Sequence, residues 1–411
     1  MIAVWTPAPS IIVPLAFVLG AALGAAANAL AAALCLSPRP SPWRAGCSGG
    51  IASRIPIIGW WFVHEGSAAF RLRAAAIELC AGVALAVWCF YVTVHGALLP
   101  GDFAARWLAH PANVYPPLLA QSLLFGLMLA ASLIDFEEKI IPDAITVPGT
   151  WAGLLLAALL PGSLPPIVVF VEGADLPAFD FVRLSAPHPW PLELEGGRWP
   201  GLALAAFCWT AWCFALLPRT WYTRHGWRRA AALCWARVRR EPATKFIGVM
   251  AAVGGLLIVA AWLFGGRPWA GLLTSLTGMA AGGAMIWVVR VVGRVMLGRE
   301  AMGFGDVTLM AMIGAFLGWQ ACLLVFFLAP LAGLVIGGVQ WLVSRDHEVP
   351  YGPFLCLAAA AVVVRWPAFW SWLADLLALG WFIALVLGAC VVLLIGLLGM
   401  LRVVRRIFGA G

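Results

Sequence analysis

Charge is what this sequence has least of. Asp, Glu, Lys and Arg make up 11% of its 411 residues while 63% are hydrophobic, a balance far outside that of a soluble globular domain. Ten cysteines are present, yet no CxxC occurs, which excludes a thioredoxin-like redox centre and a four-cysteine zinc site. Most of them (Cys80, Cys89, Cys208, Cys213, Cys322, Cys356 and Cys390) lie within apolar runs and read as small buried hydrophobes. There is no internal repeat and no glycine-rich nucleotide fingerprint. Nor is there a basic soluble domain that would turn the net charge of +8 into a nucleic-acid footprint. The first apolar run lacks a basic leader region and is too long for a cleaved signal peptide, so it reads as a membrane span.

What is there is hydrocarbon-length apolar sequence, with a mean hydropathy of +0.97. About 20 helical residues cross the roughly 30 Å of a bilayer core. Runs near 10–36, 74–98, 116–134, 144–160, 200–217, 246–264, 269–289, 307–320, 321–342, 353–364 and 369–398 meet or approach that length. The expected fold is an all-α, polytopic transmembrane helix bundle of 9–11 spans. Lys and Arg crowd the alternate connecting segments, from Arg39 and Arg44 through Arg219–Lys245 to Arg402–Arg406, leaving Arg106, Arg183, Arg198, Arg267 and Arg365 on the other side. The positive-inside rule then puts the N-terminus outside and the C-terminus in the cytoplasm.

Two acids break the pattern. Asp306 in Gly303-Phe304-Gly305-Asp306 stands between a basic run and an apolar segment, and Asp135 stands where the apolar run ending in Leu133-Ile134 gives way to Glu137-Glu138-Lys139. An ionised carboxylate at membrane depth costs several kcal/mol, so such acids are usually paired, hydrated or functional. Asp143 follows Pro142 in a position suited to capping the next helix, which makes Asp135 the better partner for Asp306. Both acids fall at the cytoplasmic ends of their spans. Close together they cannot both ionise cheaply, so one stays a general acid while the other activates water. Gly303 and Gly305 leave room beside Asp306 for another backbone.

In these residues the sequence resembles the prepilin peptidases (type IV leader peptidases), a family of intramembrane GxGD-type aspartyl proteases. The matching blocks, in the family's order, are Asp135 with Ile141-Pro142-Asp143, then Gly303–Asp306, then Gly314-Ala315-Phe316-Leu317-Gly318-Trp319-Gln320, then Val349-Pro350-Tyr351-Gly352-Pro353-Phe354. The resemblance implies Asp135 and Asp306 as the catalytic pair. It implies type IV prepilins or type II secretion pseudopilins as substrates, cut after a glycine behind a short basic leader, at the bacterial inner membrane. Proteolysis of this kind requires no cofactor. Many relatives also methylate the new N-terminus with S-adenosylmethionine.

The chain departs from the family in three places. The loop at 37–73, within an N-terminal part of 1–115, commonly carries two zinc-binding CxxC pairs and here keeps Cys47 alone, so no metal is expected and the methyl transfer is in question. Asn28 and Glu78 fall where the family has an Asn and a Glu; Asn28 equally reads as an interhelical hydrogen bond, and Glu78 as a partner of Arg71, Arg73 or another helix. Between the first catalytic-Asp helix pair (116–160) and the GxGD region (265–364), residues 161–264 read as an insertion. It comprises an acidic, proline-rich outer segment expected to be an irregular surface loop, two spans, and a basic inner loop at 218–245 suited to anionic headgroups. A further span and basic tail occupy 365–411. A transporter using intramembrane carboxylates and a pilin-binding scaffold without activity are the competing readings.

Overall fold

The computed structural model describes residues 9–35, 55–62, 67–170, 177–217, 236, 240–297, 302–344 and 350–380, with scattered residues between 385 and 400. It is a polytopic helix bundle. In chain order the elements are α1 (Pro9–Leu34), a 3-10 turn (Ile58–Phe62), α2 (Ala68–His95), α3 (Gly101–Leu108), α4 (Pro111–Glu138), α5 (Asp143–Leu159), strands β1 (Pro166–Val169) and β2 (Ala178–Phe181), and α6 (Trp199–Leu216). They continue with α7 (Pro242–Phe264), α8 (Gly266–Leu297), α9 (Phe304–Ser344), α10 (Gly352–Val364) and α11 (Trp366–Ala378). Among the described residues seven helices are long and apolar enough to cross a membrane; α5 is shorter, and α10 and α11 form a pair bent by 90°.

Several predicted boundaries move. Helix α2 starts at Ala68 instead of 74 because Ser67 caps it, its side chain accepting from Phe70 N at 3.2 Å, so Arg71 and Arg73 are helical. Helix α4 runs on to Glu138 and α8 to Leu297, which puts Asp135 and Arg290 on helices where the sequence suggested span ends. The predicted span at 369–398 begins as α11, set across the direction of α10; about half of its remainder, like Cys47, the 218–235 loop and Arg402–Arg406, lies outside the described residues.

The predicted spans 307–320 and 321–342 are joined in α9 but not collinear. Gly318 adopts φ 79°, ψ 169°, a region essentially reserved for glycine. Met310 O and Cys322 Sγ stand 2.6 and 3.0 Å from where a Cβ on Gly282 of α8 would be. Twelve residues along a straight helix would separate them by about 18 Å. The chain therefore turns back at Gly318, and two limbs of α9 lie side by side against α8. Glycines at 278, 282 and 314 let these backbones approach as small residues do in membrane helix packing. A Gly318→Ala substitution is expected to cost about 1–3 kcal/mol, read as a lower midpoint of thermal unfolding in detergent.

The outer segment differs from the irregular surface loop expected of it. Strands β1 and β2 pair antiparallel, Pro166 opposite Phe181 and Val169 opposite Ala178. The following residues wedge into the bundle, with Phe181 and Val182 buried. Buried backbone must find partners, and side chains of the second limb of α9, of α8 and of α11 supply them. Gln320 Nε2 donates to Arg183 O at 2.7 Å and Trp319 Nε1 to Leu184 O at 2.9 Å, while Leu184 N donates to Thr274 Oγ1 at 2.9 Å. Trp366 Nε1 reaches Pro166 O at 2.8 Å. This end of the bundle is closed by its own chain, opposite the end where Asp135 and Asp306 lie.

Candidate active site

Helix α4 stops after Glu138 because Lys139 takes the left-handed conformation (φ 55°), its N–H closing on Asp135 O. The turn that follows, Ile140-Ile141-Pro142, leads straight into α5. It packs against the start of α9, where a Cβ on Gly305 would meet Ile141 Cβ at 2.8 Å. In this way residues 171 apart in sequence are brought to one pocket of about 390 Å³, lined by Asp135, Lys139, Ile140, Ile141, Met302–Asp306, Pro350 and Tyr351.

Each carboxylate is held at a helix N-terminus. Asp306 is the third residue of α9, and its Oδ2 accepts from Gly303 N at 3.2 Å, the reach-back of a capping box. Asp135 Oδ2 accepts from Gly352 N, the first residue of α10, at 3.0 Å. Backbone N–H groups and the positive end of the helix dipole thus face both acids, although they are 5% and 8% exposed. One oxygen of each is fixed, which leaves Oδ1 of each for the pocket. Tyr351 sits in the same wall; burial first and the charge of Asp306 second push its phenol up to about 12, so it stays a neutral hydrogen-bond donor at any working pH.

The residues expected to support the pair divide into two groups. Gly305 is filled from within the chain by Ile141, so the backbone it leaves room for is that of the α4–α5 turn: its missing side chain lets two parts of the site pack. Gly303 is different. A Cβ there would meet Asp306 Oδ2 at 3.5 Å and Gly305 N at 3.9 Å, so its flank is open. Pro142 occupies the N-cap position of α5 and Asp143 its first turn, one place later than a capping residue. Asp143 is exposed, with its carboxyl toward Thr308, whose hydroxyl also meets Thr146 Oγ1 at 3.1 Å. Together these tie α5 to the first turn of α9.

Glu78 and Asn28 form a separate cluster. Glu78, 2% exposed, accepts from Asn28 Nδ2 at 3.0 Å, Trp60 Nε1 at 2.7 Å and Ile57 N at 2.5 Å. Arg73, which the sequence offered as its partner, pairs instead with Glu137 at 2.5 Å. Glu78 thus anchors the turn after Ile57, itself at φ 68°, a backbone region that β-branched residues avoid. Glu78→Leu would leave three donors unpaired at about 1–3 kcal/mol for a buried one. The expected result is a clear drop in thermal midpoint and faster proteolytic nicking near 55–66. Gly352, Tyr351, Thr308 and Arg290 were not singled out from sequence; the first two lay in a quoted block, and only their proximity to the acids marks them.

Two segments of this chain match the type IV leader peptidase family. The family model covers residues 122–175 and 244–338, so Asp135 and Asp306 fall one in each, while Asn28, Glu78 and Gly352 fall outside. The gap, 176–243, lies within the span read as inserted. Among curated proteins the chain is similar to prepilin leader peptidase/N-methyltransferases. That of Aeromonas salmonicida is 35% identical over 104 residues, 22% of this chain and 36% of that protein. That of Stutzerimonas stutzeri is 35% identical over 107 residues, 25% and 35%, and that of Pseudomonas aeruginosa 37% over 93 residues, 22% and 32%. The matched part of the chain spans about a third of the length of these relatives. No solved structure matches it.

Proposed function

We propose that this chain is an intramembrane aspartyl endopeptidase that removes basic leader peptides from type IV prepilins or type II secretion pseudopilins. The observation that carries the reading is the shared pocket: two carboxylates from distant helices, each with one oxygen tied to a backbone N–H. With one carboxyl protonated, the ionised partner takes a proton from a water, whose oxygen attacks the scissile carbonyl. The protonated carboxyl donates a hydrogen bond to the developing oxyanion. Collapse of the tetrahedral intermediate breaks the C–N bond as a proton passes to the leaving amine. Which aspartate holds the proton is a property of the pair. The open flank of Gly303 beside Asp306 is the place for an extended substrate strand.

The basic count puts the aspartate end at the cytoplasmic face of a bacterial inner membrane, N-terminus outside and C-terminus in. The hydrolysis uses no cofactor. Methyl transfer from S-adenosylmethionine, the other activity in those relatives' names, is a separate expectation, because the family match begins at residue 122 and leaves out the 37–73 loop on which it turns.

The test is to reconstitute the purified chain with a type IV prepilin and follow leader release by mass. Release of the basic leader supports the proposal. A prepilin that binds and stays intact overturns it in favour of a scaffold, and potential-driven cation uptake without cleavage in favour of a transporter.

A further inference from the structure

Helix α8 carries Arg290 seven residues before its end. From sequence Arg290 belongs to the basic residues that set topology; in the structure the helix continues past it, and this turns its side chain toward the start of α9. Its guanidinium lies 5.5 Å from the centroid of the Phe304 ring, within the range of a cation–π contact. Phe304 is the first residue of α9, two before Asp306, and forms part of the aspartate pocket.

Among the described residues, the other groups facing the pair do not supply the charge that Arg290 carries. From α4 comes Asp135 itself, and from the turn after it Lys139, which is exposed at the rim and screened by water. The α10 side contributes the Tyr351 phenol and, deeper, the buried Cys356 thiol. Asp143 at the head of α5 and Thr308 in α9 face one another. Arg294 lies one turn farther along α8. The remaining pocket wall is Ile140, Ile141, Met302, Phe304 and Pro350, which offers nothing to balance an anion.

We propose that Arg290 is a positioning residue for the reaction: held on the face of Phe304, it fixes the first turn of α9 and provides the countercharge for the single negative charge shared by Asp135 and Asp306. This rests on the peptidase reading. A working pair needs one ionised carboxylate, and a nearby cation favours that form. Losing the cation therefore requires a higher pH before the pair is half in its working state, so the acid limb of the rate profile moves up.

The test is the pH–rate profile of kcat/KM for leader release by wild type, Arg290→Met and Arg290→Lys, with thermal midpoints measured alongside. Arg290→Met is expected to move the acid limb up by about 0.5–1 pH unit and to slow cleavage several-fold below that limb. Arg290→Lys, which keeps the charge, is expected to return the limb to within about a third of that shift. A limb in Arg290→Met that coincides with wild type overturns the proposal, as does an Arg290→Lys protein of unchanged thermal midpoint whose limb stays displaced. Wild type and Asp306→Asn in the same assay separate the two levels. If wild type does not cleave, the peptidase reading falls and Arg290 with it; if it cleaves and Asp306→Asn does not, only the Arg290 result is in play.

Discussion

An Asp135→Asn or Asp306→Asn protein is expected to release leader about 10³-fold more slowly than wild type, or slower still, while keeping its thermal midpoint. The rate loss follows from the chemistry: an amide can neither take the proton from water nor pass one to the leaving amine, and general acid–base catalysis alone is worth about 10²–10⁴-fold. The fold is spared because an asparagine Oδ1 can still accept from Gly303 N or Gly352 N, the bonds that hold each carboxylate now. The two acids act as a unit, so the double variant should be little slower than either single one. Single-turnover cleavage of a prepilin beside unfolding in detergent checks both halves. A single variant that cuts at the wild-type rate removes that aspartate from the chemistry.

Glycine substitutions around the pair are expected to separate by what each missing side chain accommodates. Gly352→Ala should cost about 10²-fold or more in cleavage, the scale of a 1 Å misplacement of a catalytic group, because its Cβ would land on Asp135 Oδ2. The carboxylate would have to leave the N–H that orients it. Gly305→Ala should act similarly from the other side, since its Cβ would stand 2.8 Å from Ile141 Cβ and 3.0 Å from Ile141 O, prising the α4–α5 turn from α9. Gly303→Ala meets nothing closer than 3.5 Å. It should leave the fold and the pair intact and fall on KM, where an extended substrate needs the space. Equal effects from all three would contradict this division.

The sequence made the class of fold legible, and the position of the two acids near the ends of long helices, because hydrocarbon-length apolar runs and isolated charges within them are strong signals. Span ends were less legible. Arg71, Arg73 and Arg290 read as loop residues by charge, yet long cationic side chains leave a helix free to continue while their heads reach polar surroundings. The reversal at Gly318 read as the junction of a short span, 307–320, and a longer one, 321–342, and the tertiary evidence for it, Met310 and Cys322 against Gly282, has no local trace. The outer segment read as surface because its prolines exclude regular helix; nothing in residues 161–199 tells that Trp319 and Gln320, more than a hundred positions later, satisfy its backbone. Glu78 was seen as a buried acid in need of a partner, and Asn28 as an interhelical hydrogen bond, but they bond to each other, with a tryptophan ring and a backbone N–H completing the set, which leaves no partner charge to count.

The helices that deliver the two N–H groups are both short. Helix α10 has 13 residues and the first limb of α9 about as many, so each is roughly 20 Å long against about 30 Å of bilayer core. With their far ends held beside the wedged outer segment, a bilayer of that thickness would leave the aspartates recessed beneath the lipid headgroups. Hydrophobic mismatch of that size thins the surrounding bilayer or admits solvent. On the proposed peptidase reading, the same shortfall would bring water down to the acids and would oblige a substrate helix to unwind its first turns before its peptide bond could descend to them.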